Sequence, residues 1–241
     1  MPSLQARRDE QLAVDYFDFY NSVSSVYSSK IEGEEIEYDS FFKYKFLNVD
    51  YSADYTMRSN DLYLAYEFIT TTKYSRESLF HAHKLISSNL LPEAQRGVIR
   101  NNQMYVIGDD DKIEYVACNQ FKLKVEFDLF LSDLEILFNS DLSVGETFYY
   151  ASMIHLVFVK IHPFQDGNGR VGRLLEKWFL LQKLGELGNV VGLEKNYFKK
   201  RNQYYSNIKT LGLEYNTLDY SRSLEFLKMT IGSITDAMPS P

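Results

Sequence analysis

The chain has 241 residues, 45% of them hydrophobic, with a formal net charge of −7 and a pI near 5.2. That is enough apolar material for one sizeable core, and no repeat, low-complexity block or proline-rich linker divides it. The acidic balance argues against broad nucleic-acid binding, and Cys118, the sole cysteine, excludes an intramolecular disulfide and disfavours a thiolate metal cluster.

The opening MPSLQARRDEQ lacks the apolar centre of a signal peptide. Leu12, Tyr16, Phe19, Val23 and Val26 then recur at helical spacing and predict an N-terminal helix that Gly33 stops. Its end reads SSKIEG from Ser28 to Gly33, an SxxxEG pattern that chance supplies often and that a solvated helix end satisfies. His81 and His83 stand two apart, too far round a helix to share a face, so one interior and one exposed histidine are expected. Gln103–Gly108 and Lys112–Val116 predict a β-hairpin: Met104, Tyr105, Val106 and Ile107 suit a short strand, and Asp109, Asp110 and Asp111 a polar turn.

Ser143 followed by Glu146 is a capping-box pattern, and Phe148, Ala151, Ile154, His155, Phe158 and Ile161 continue as an apolar helical stripe. The stripe is interrupted by Lys160 and is too short to span a bilayer, so a cytoplasmic protein without a membrane anchor is expected. Pro163 disfavours helical geometry in the residue before it, which ends the helix at His162 with its ring aimed into the following turn. His155 reads as a core histidine with a hydrogen-bonded ring, since a third metal ligand is missing. Val171, Leu174, Leu175, Trp178 and Leu181 predict the next helix, and Tyr197–Leu211 one more, with Lys199, Lys200 and Arg201 on a wet face.

Residues 162–173, HPFQDGNGRVGR, gather an imidazole, a carboxylate, two glycines in a turn and two guanidinium groups. On a polyphosphate these have distinct uses: His162 exchanges a proton near neutral pH, Asp166 holds a hard cation, and Arg170 and Arg173 grip anionic oxygens. Gly167 and Gly169, at the start of a helix, let free N–H groups curl towards an anion. A calcium loop fits poorly, because Arg170 and Lys177 stand where the fifth and twelfth ligands are required. The chain has no GxxxxGK[ST], which excludes a Walker A loop. A structural turn with incidental charges is the plain alternative.

The twelve residues match every specified position of HxFx(D/E)GNGRxxR, and on them the chain resembles the Fic (Fido) domain proteins. The resemblance extends over approximately residues 75–230 and implies a mostly α-helical domain with a small β-hairpin flap. It also implies transfer of AMP from ATP, with magnesium, onto a Ser, Thr or Tyr hydroxyl of a target protein. On it His162 is the general base and Asp166 the magnesium ligand. Gly167, Asn168, Gly169 and Arg170 cradle the phosphates, and Arg173 holds the γ-phosphate. The related Doc kinases carry lysine where Gly169 stands, so the glycine favours AMP transfer.

Ser28, Glu32 and Gly33 resemble the inhibitory (S/T)xxxE(G/N) motif of one class of the family, in which the glutamate pairs with the second arginine, here Arg173. Gly97–Arg100 and the hairpin, with Val106 and Ile107, resemble the flap that docks an extended target segment; Tyr204 and Tyr205 match positions near the adenine. The division implied is an N-terminal extension with the inhibitory helix, 1–50, and a catalytic domain, 51–241, in a single unit. Family members also use other nucleotides or phosphocholine. A different class of function, a silent nucleotide-binding regulatory module, stays open, as does a homo-oligomer.

Overall fold

The chain, as a computed structural model, is described over residues 16–49, 54–107 and 113–234. These residues form ten α-helices, four short 3-10 turns and one hairpin. In order the α-helices and strands are α1 (Tyr16–Ile31), α2 (Tyr38–Leu47), α3 (Asp54–Thr71), α4 (Arg76–Ile86), β1 (Tyr105–Ile107), β2 (Ile113–Val116), α5 (Gln120–Asn139), α6 (Val144–Ile161), α7 (Asn168–Leu184), α8 (Leu193–Lys199), α9 (Arg201–Thr210) and α10 (Leu224–Gly232). The mostly helical class with a small hairpin is therefore the observed one. Leu12, Gly108, Asp109, Asp110, Asp111 and Lys112 lie outside the described residues.

The helices on either side of the HPFQDGNGR turn form the centre of the molecule. The capping box opens α6 as its sequence predicts: the Ser143 hydroxyl accepts from the Glu146 N–H, and the Ser143 N–H donates to the Glu146 carboxylate. Phe158 of α6 and Leu174, Leu175 and Trp178 of α7 are fully buried. Gly172 lets the two helices close up, because a Cβ there would stand 2.9 Å from Val159 Cγ1. Neighbouring helices cover this pair: α4 and α5 pack on it from the N-terminal half, α8 and α10 from the C-terminal half.

α1 buries the C-terminal part of the face its apolar residues predict, with Val26 1% exposed against Phe41 and Tyr63, but not Phe19. Phe19 is 45% exposed, while Ser22, Ser25, Ser28 and Ser29 are buried against α3, α7 and α8. Their hydroxyls are satisfied inside: Ser25 donates to the Asn21 carbonyl, Ser59 of α3 donates to Ser29, and Ser24 donates to Glu194 of α8. Small hydrogen-bonded residues thus do the packing that hydrophobic spacing assigns to Phe19.

The predicted helix Tyr197–Leu211 is two helices, broken at Lys200 with φ −115° and ψ 35°. The run 199–203 is polar and mostly exposed, so burial does not hold a continuous helix through it. The first hairpin strand starts later than predicted, because Gln103 and Met104 precede β1. His83 is buried and His81 exposed, as their spacing predicts. Cys118 is a free, buried cysteine whose thiol burial pushes up to about 11. No described helix is long and apolar enough to cross a membrane.

Candidate functional site

Pro163 ends α6, and the chain leaves through His162 in the left-handed conformation, φ 54°. For a residue with a Cβ that geometry costs roughly 1–2 kcal/mol, so the surroundings must hold it. Arg100 does so. Its Nε donates to the His162 carbonyl at 2.6 Å, and its Nη2 donates to the Cys118 carbonyl at 2.7 Å and the Ile161 carbonyl at 3.3 Å. Its Nη1 also donates to the Asn102 carbonyl, and the Arg100 N–H to Pro163. One buried guanidinium therefore ties the segment before the hairpin to the end of α6, where the helix dipole favours a cation.

The rest of the turn is fastened by neutral groups. Asn168 clamps Phe164, accepting from its N–H and donating to its carbonyl, both at 2.9 Å. His83 stacks on the Phe164 ring and accepts the Gly97 N–H at Nδ1, 2.7 Å. Its proton is therefore on Nε2, which donates to the Asp166 carbonyl at 3.0 Å. The Asp166 side chain stays on the surface; its Oδ1 accepts the Gly167 N–H at 2.6 Å, and Oδ2 is available to a cation. Gly167 starts α7 with φ 79° and no side-chain cap, leaving first-turn N–H groups for another acceptor.

The His162 ring is oriented by its neighbours. The Tyr115 hydroxyl lies 3.0 Å from the Val159 carbonyl and 3.2 Å from His162 Nδ1, which is itself 3.1 Å from that carbonyl. Both contacts to the carbonyl are hydrogen bonds only when Nδ1 carries the imidazole proton and Tyr115 donates to Val159. Nε2 is then left with its lone pair. Burial, opposed by the Val159 hydrogen bond, lowers His162 to about 4, so the imidazole is neutral at physiological pH.

Both arginines of the turn meet carboxylates from the opposite end of the described chain. Glu32 Oε1 lies 2.6 Å from Arg173 Nη2, and Ser28 holds the same guanidinium through its hydroxyl at 2.9 Å and its carbonyl at 3.1 Å. Glu34 Oε1 lies 2.7 Å from Arg170 Nη2. Glu32 also sits directly over the start of α7, since a Cβ on Gly169 would stand 2.6 Å from its Oε1. Burial pushes the Glu32 carboxyl up, but Arg173 and then Arg170 outweigh it and hold the group below its ordinary value. Gly33, with φ 86°, makes the turn that sends these two acids to two different arginines.

Arg173 is seated from below as well. Its Nη1 donates to the Tyr204 hydroxyl at 3.2 Å, that hydroxyl contacts His155 Nε2 at 2.9 Å, and His155 Nδ1 lies 2.8 Å from Glu176. His155 is thus the buried, hydrogen-bonded core histidine its position predicts. Tyr204 is buried to 1%, so it presents no ring face to a ligand in this structure. Tyr205 is the more open of the two; its hydroxyl donates to the Ile31 carbonyl at 3.0 Å.

β1 pairs only with β2 among the described residues, while β2 makes a further parallel bridge through Val116 to Glu214. The outer edge of β1 is therefore open, with Tyr105 and Ile107 exposed and Val106 half-buried between them. The structure brings together His162, Asp166–Arg170, Arg173, Ser28, Glu32 and Gly33. Sequence reasoning gave Glu34 and Tyr115 no role, His83 no more than a place inside or outside the core, and Arg100 no more than a place in the flap. Glu34 carried a signal, a second acid one residue past Gly33; the other three act through backbone atoms or a ring nitrogen and leave no spacing to read. No three His, Cys, Asp or Glu side chains gather as a metal cage among the described residues. One exposed carboxylate beside a helix N-terminus fits a magnesium ion that keeps its waters and shares phosphate oxygens.

Residues 73–180 match the family model described as Fic/DOC family. A search of curated proteins finds no significant match. The fold is similar to that of a Fic family protein from Desulfovibrio desulfuricans G20, with TM-score 0.74 and 20% identity over 95% of this chain and 66% of that one. It is also similar to a Fic domain containing signaling protein from Bacteroides thetaiotaomicron VPI-5482, with TM-score 0.69 and 14% identity over 98% and 94% of the two chains. Fic-1 from C. elegans, with TM-score 0.67 and 17% identity over 98% and 70%, shares the fold too. The chain spans just under two thirds of the Desulfovibrio protein, and at these identities the likeness is one of fold.

Proposed function

We propose that this chain, which carries a Fic/DOC-family domain, is a self-restrained transferase that moves AMP from ATP to a hydroxyl side chain of a protein target. In this reading a target hydroxyl gives its proton to His162 Nε2 as its oxygen attacks the α-phosphorus. The bond to the bridging oxygen of the β-phosphate breaks, and pyrophosphate leaves. A Ser, Thr or Tyr hydroxyl needs such a base near neutral pH. The first-turn N–H groups of α7, Arg170 and Arg173 take up the charge of the triphosphate. Magnesium, held by Asp166, would neutralise phosphate charge, and the open edge of β1 would hold an extended target segment by strand addition.

One observation carries the restrained part of this reading: Glu32 occupies Arg173 and the space over Gly169 at once. A γ-phosphate would need that guanidinium and that space. A carboxylate left in place turns the triphosphate away from an in-line arrangement at the α-phosphorus. The test is Glu32→Gly, compared with wild type for labelling of target or self by ATP with magnesium. An increase of roughly tenfold or more, the equivalent of 1.4 kcal/mol, is expected. Equal labelling removes Glu32 from the mechanism.

The donor is tested by mass. A gain of AMP on the modified protein, with each nucleotide supplied separately, supports this reading over another nucleotide or phosphocholine. Tight ATP binding with no transfer even by Glu32→Gly would favour a regulatory module; the oriented His162 speaks for an enzyme, since a binder has no use for a free Nε2.

A further inference from the structure

α5 is apolar on two sides. Leu123, Phe127, Phe130, Leu131 and Leu134 face the core, as one stripe of a surface helix should. Phe121, Val125, Leu129 and Ile136 form a second stripe, at intervals of four, four and seven residues, and they are 85%, 62%, 59% and 65% exposed. Large apolar side chains exposed along one face of a surface helix mark a contact site.

The charges beside this stripe identify what covers it. Lys122 and Lys124 are exposed at the N-terminal end, Asp133 and Glu135 at the C-terminal end. We propose that α5 is the contact face between two copies of this chain, related by a two-fold axis that sets the helices antiparallel. With the axis passing between Asp128 and Leu129, Phe121 of one copy lies opposite Ile136 of the other. In the same register both lysines come alongside the second copy's Asp133 and Glu135, and the axis generates every contact twice. A parallel pairing would set like charges on like. Asp128, nearest the axis, keeps Arg76 as a partner when Lys124, its other partner at 2.8 Å, turns to the second copy. A helix of this length is about 30 Å long, and an interface one helix wide falls below about 1,200 Å². The result is a weak dimer in exchange with monomer.

The stripe lies outside the nucleotide site, so the test does not depend on the proposed activity. Sedimentation velocity of the whole chain over a concentration series is expected to show a monomer–dimer equilibrium that Phe121→Asp with Val125→Asp abolishes. Both residues are exposed, so circular dichroism should be unchanged by the pair. The sharper arm reverses charge. Lys122→Glu with Lys124→Glu, and separately Asp133→Lys with Glu135→Lys, should each be monomeric alone, whereas their mixture should form a heterodimer. A wild type that stays monomeric at every concentration, a dimer that survives the aspartates, or a mixture that does not associate overturns the proposal.

Discussion

The two walls of the proposed phosphate site are held by different kinds of bond. On one side the 162–173 turn is fastened mainly to backbone: Arg100 to four carbonyls, Asn168 to both polar groups of Phe164, His83 to the Gly97 N–H and the Asp166 carbonyl. On the other side the segment after α1 is held largely by two carboxylate–guanidinium pairs, Glu32 with Arg173 and Glu34 with Arg170. The carbonyls that hold Arg100 are fixed parts of the buried turn and its neighbours, whereas the carboxylates on Arg170 and Arg173 are anions whose place a phosphate can take. The contrast teaches which wall is the scaffold and which can be exchanged for a ligand.

The largest expected effect breaks the scaffold side at its one reactive atom. His162→Ala in the Glu32→Gly background should lower transfer by ~10²–10⁴-fold, the usual contribution of a general base. Nucleotide binding should persist, because the phosphate contacts lie on α7. Single-turnover labelling and a direct ATP-binding measurement separate the two quantities. Undiminished labelling would show that another group takes the proton.

A smaller effect is expected on the exchangeable side. Glu34 is the more buried of the two acids, with 4% of its side chain accessible against 28% for Glu32. Glu34→Gln keeps the shape and removes the charge, so Arg170 becomes available while the segment keeps much of its packing. ATP affinity, read by calorimetry, should rise by several-fold to about tenfold, and the gain should not simply add to that of Glu32→Gly, since neighbouring groups in one network couple. A loss of affinity would place Glu34 among the groups that position Arg170 for the nucleotide, and the wall would then be part of the scaffold.

The same division explains what was legible in the sequence. The turn's glycines, its Pro163 stop and the Ser143–Glu146 cap are local devices, written within a few residues of where they act, and the helices α6 and α7 follow from them. Glu32 was legible only as part of a pattern, since nothing local brings it to a residue 141 positions away. The serine-lined face of α1 was not legible, because buried serines need partners such as Ser59 and Glu194 that only the fold supplies. Arg100 was hidden for a similar reason: a cation is normally paired with an acid, and this one is spent on carbonyls.

The last prediction concerns pH and sharpens the scaffold side further. His83 and His162 are both lowered to about 4, mainly by burial, from an ordinary value of 6.5. Both rings are therefore neutral in the folded protein at a pH where the unfolded chain already protonates them. Between about 6.5 and 4 the unfolded state binds more protons, so their contribution to stability is complete above 6.5 and is lost progressively as the pH falls towards 4. In the proposed reaction the same shift sets the acid limb: kcat/KM of Glu32→Gly, which reports the free enzyme, should have it well below 6.5. Removing Glu32 takes away an influence that raises His162, so the limb should not move up in the variant. An acid limb at 6.5 or above would mean that His162 is open to water once the acid is gone, and that its orientation depends on the wall that leaves.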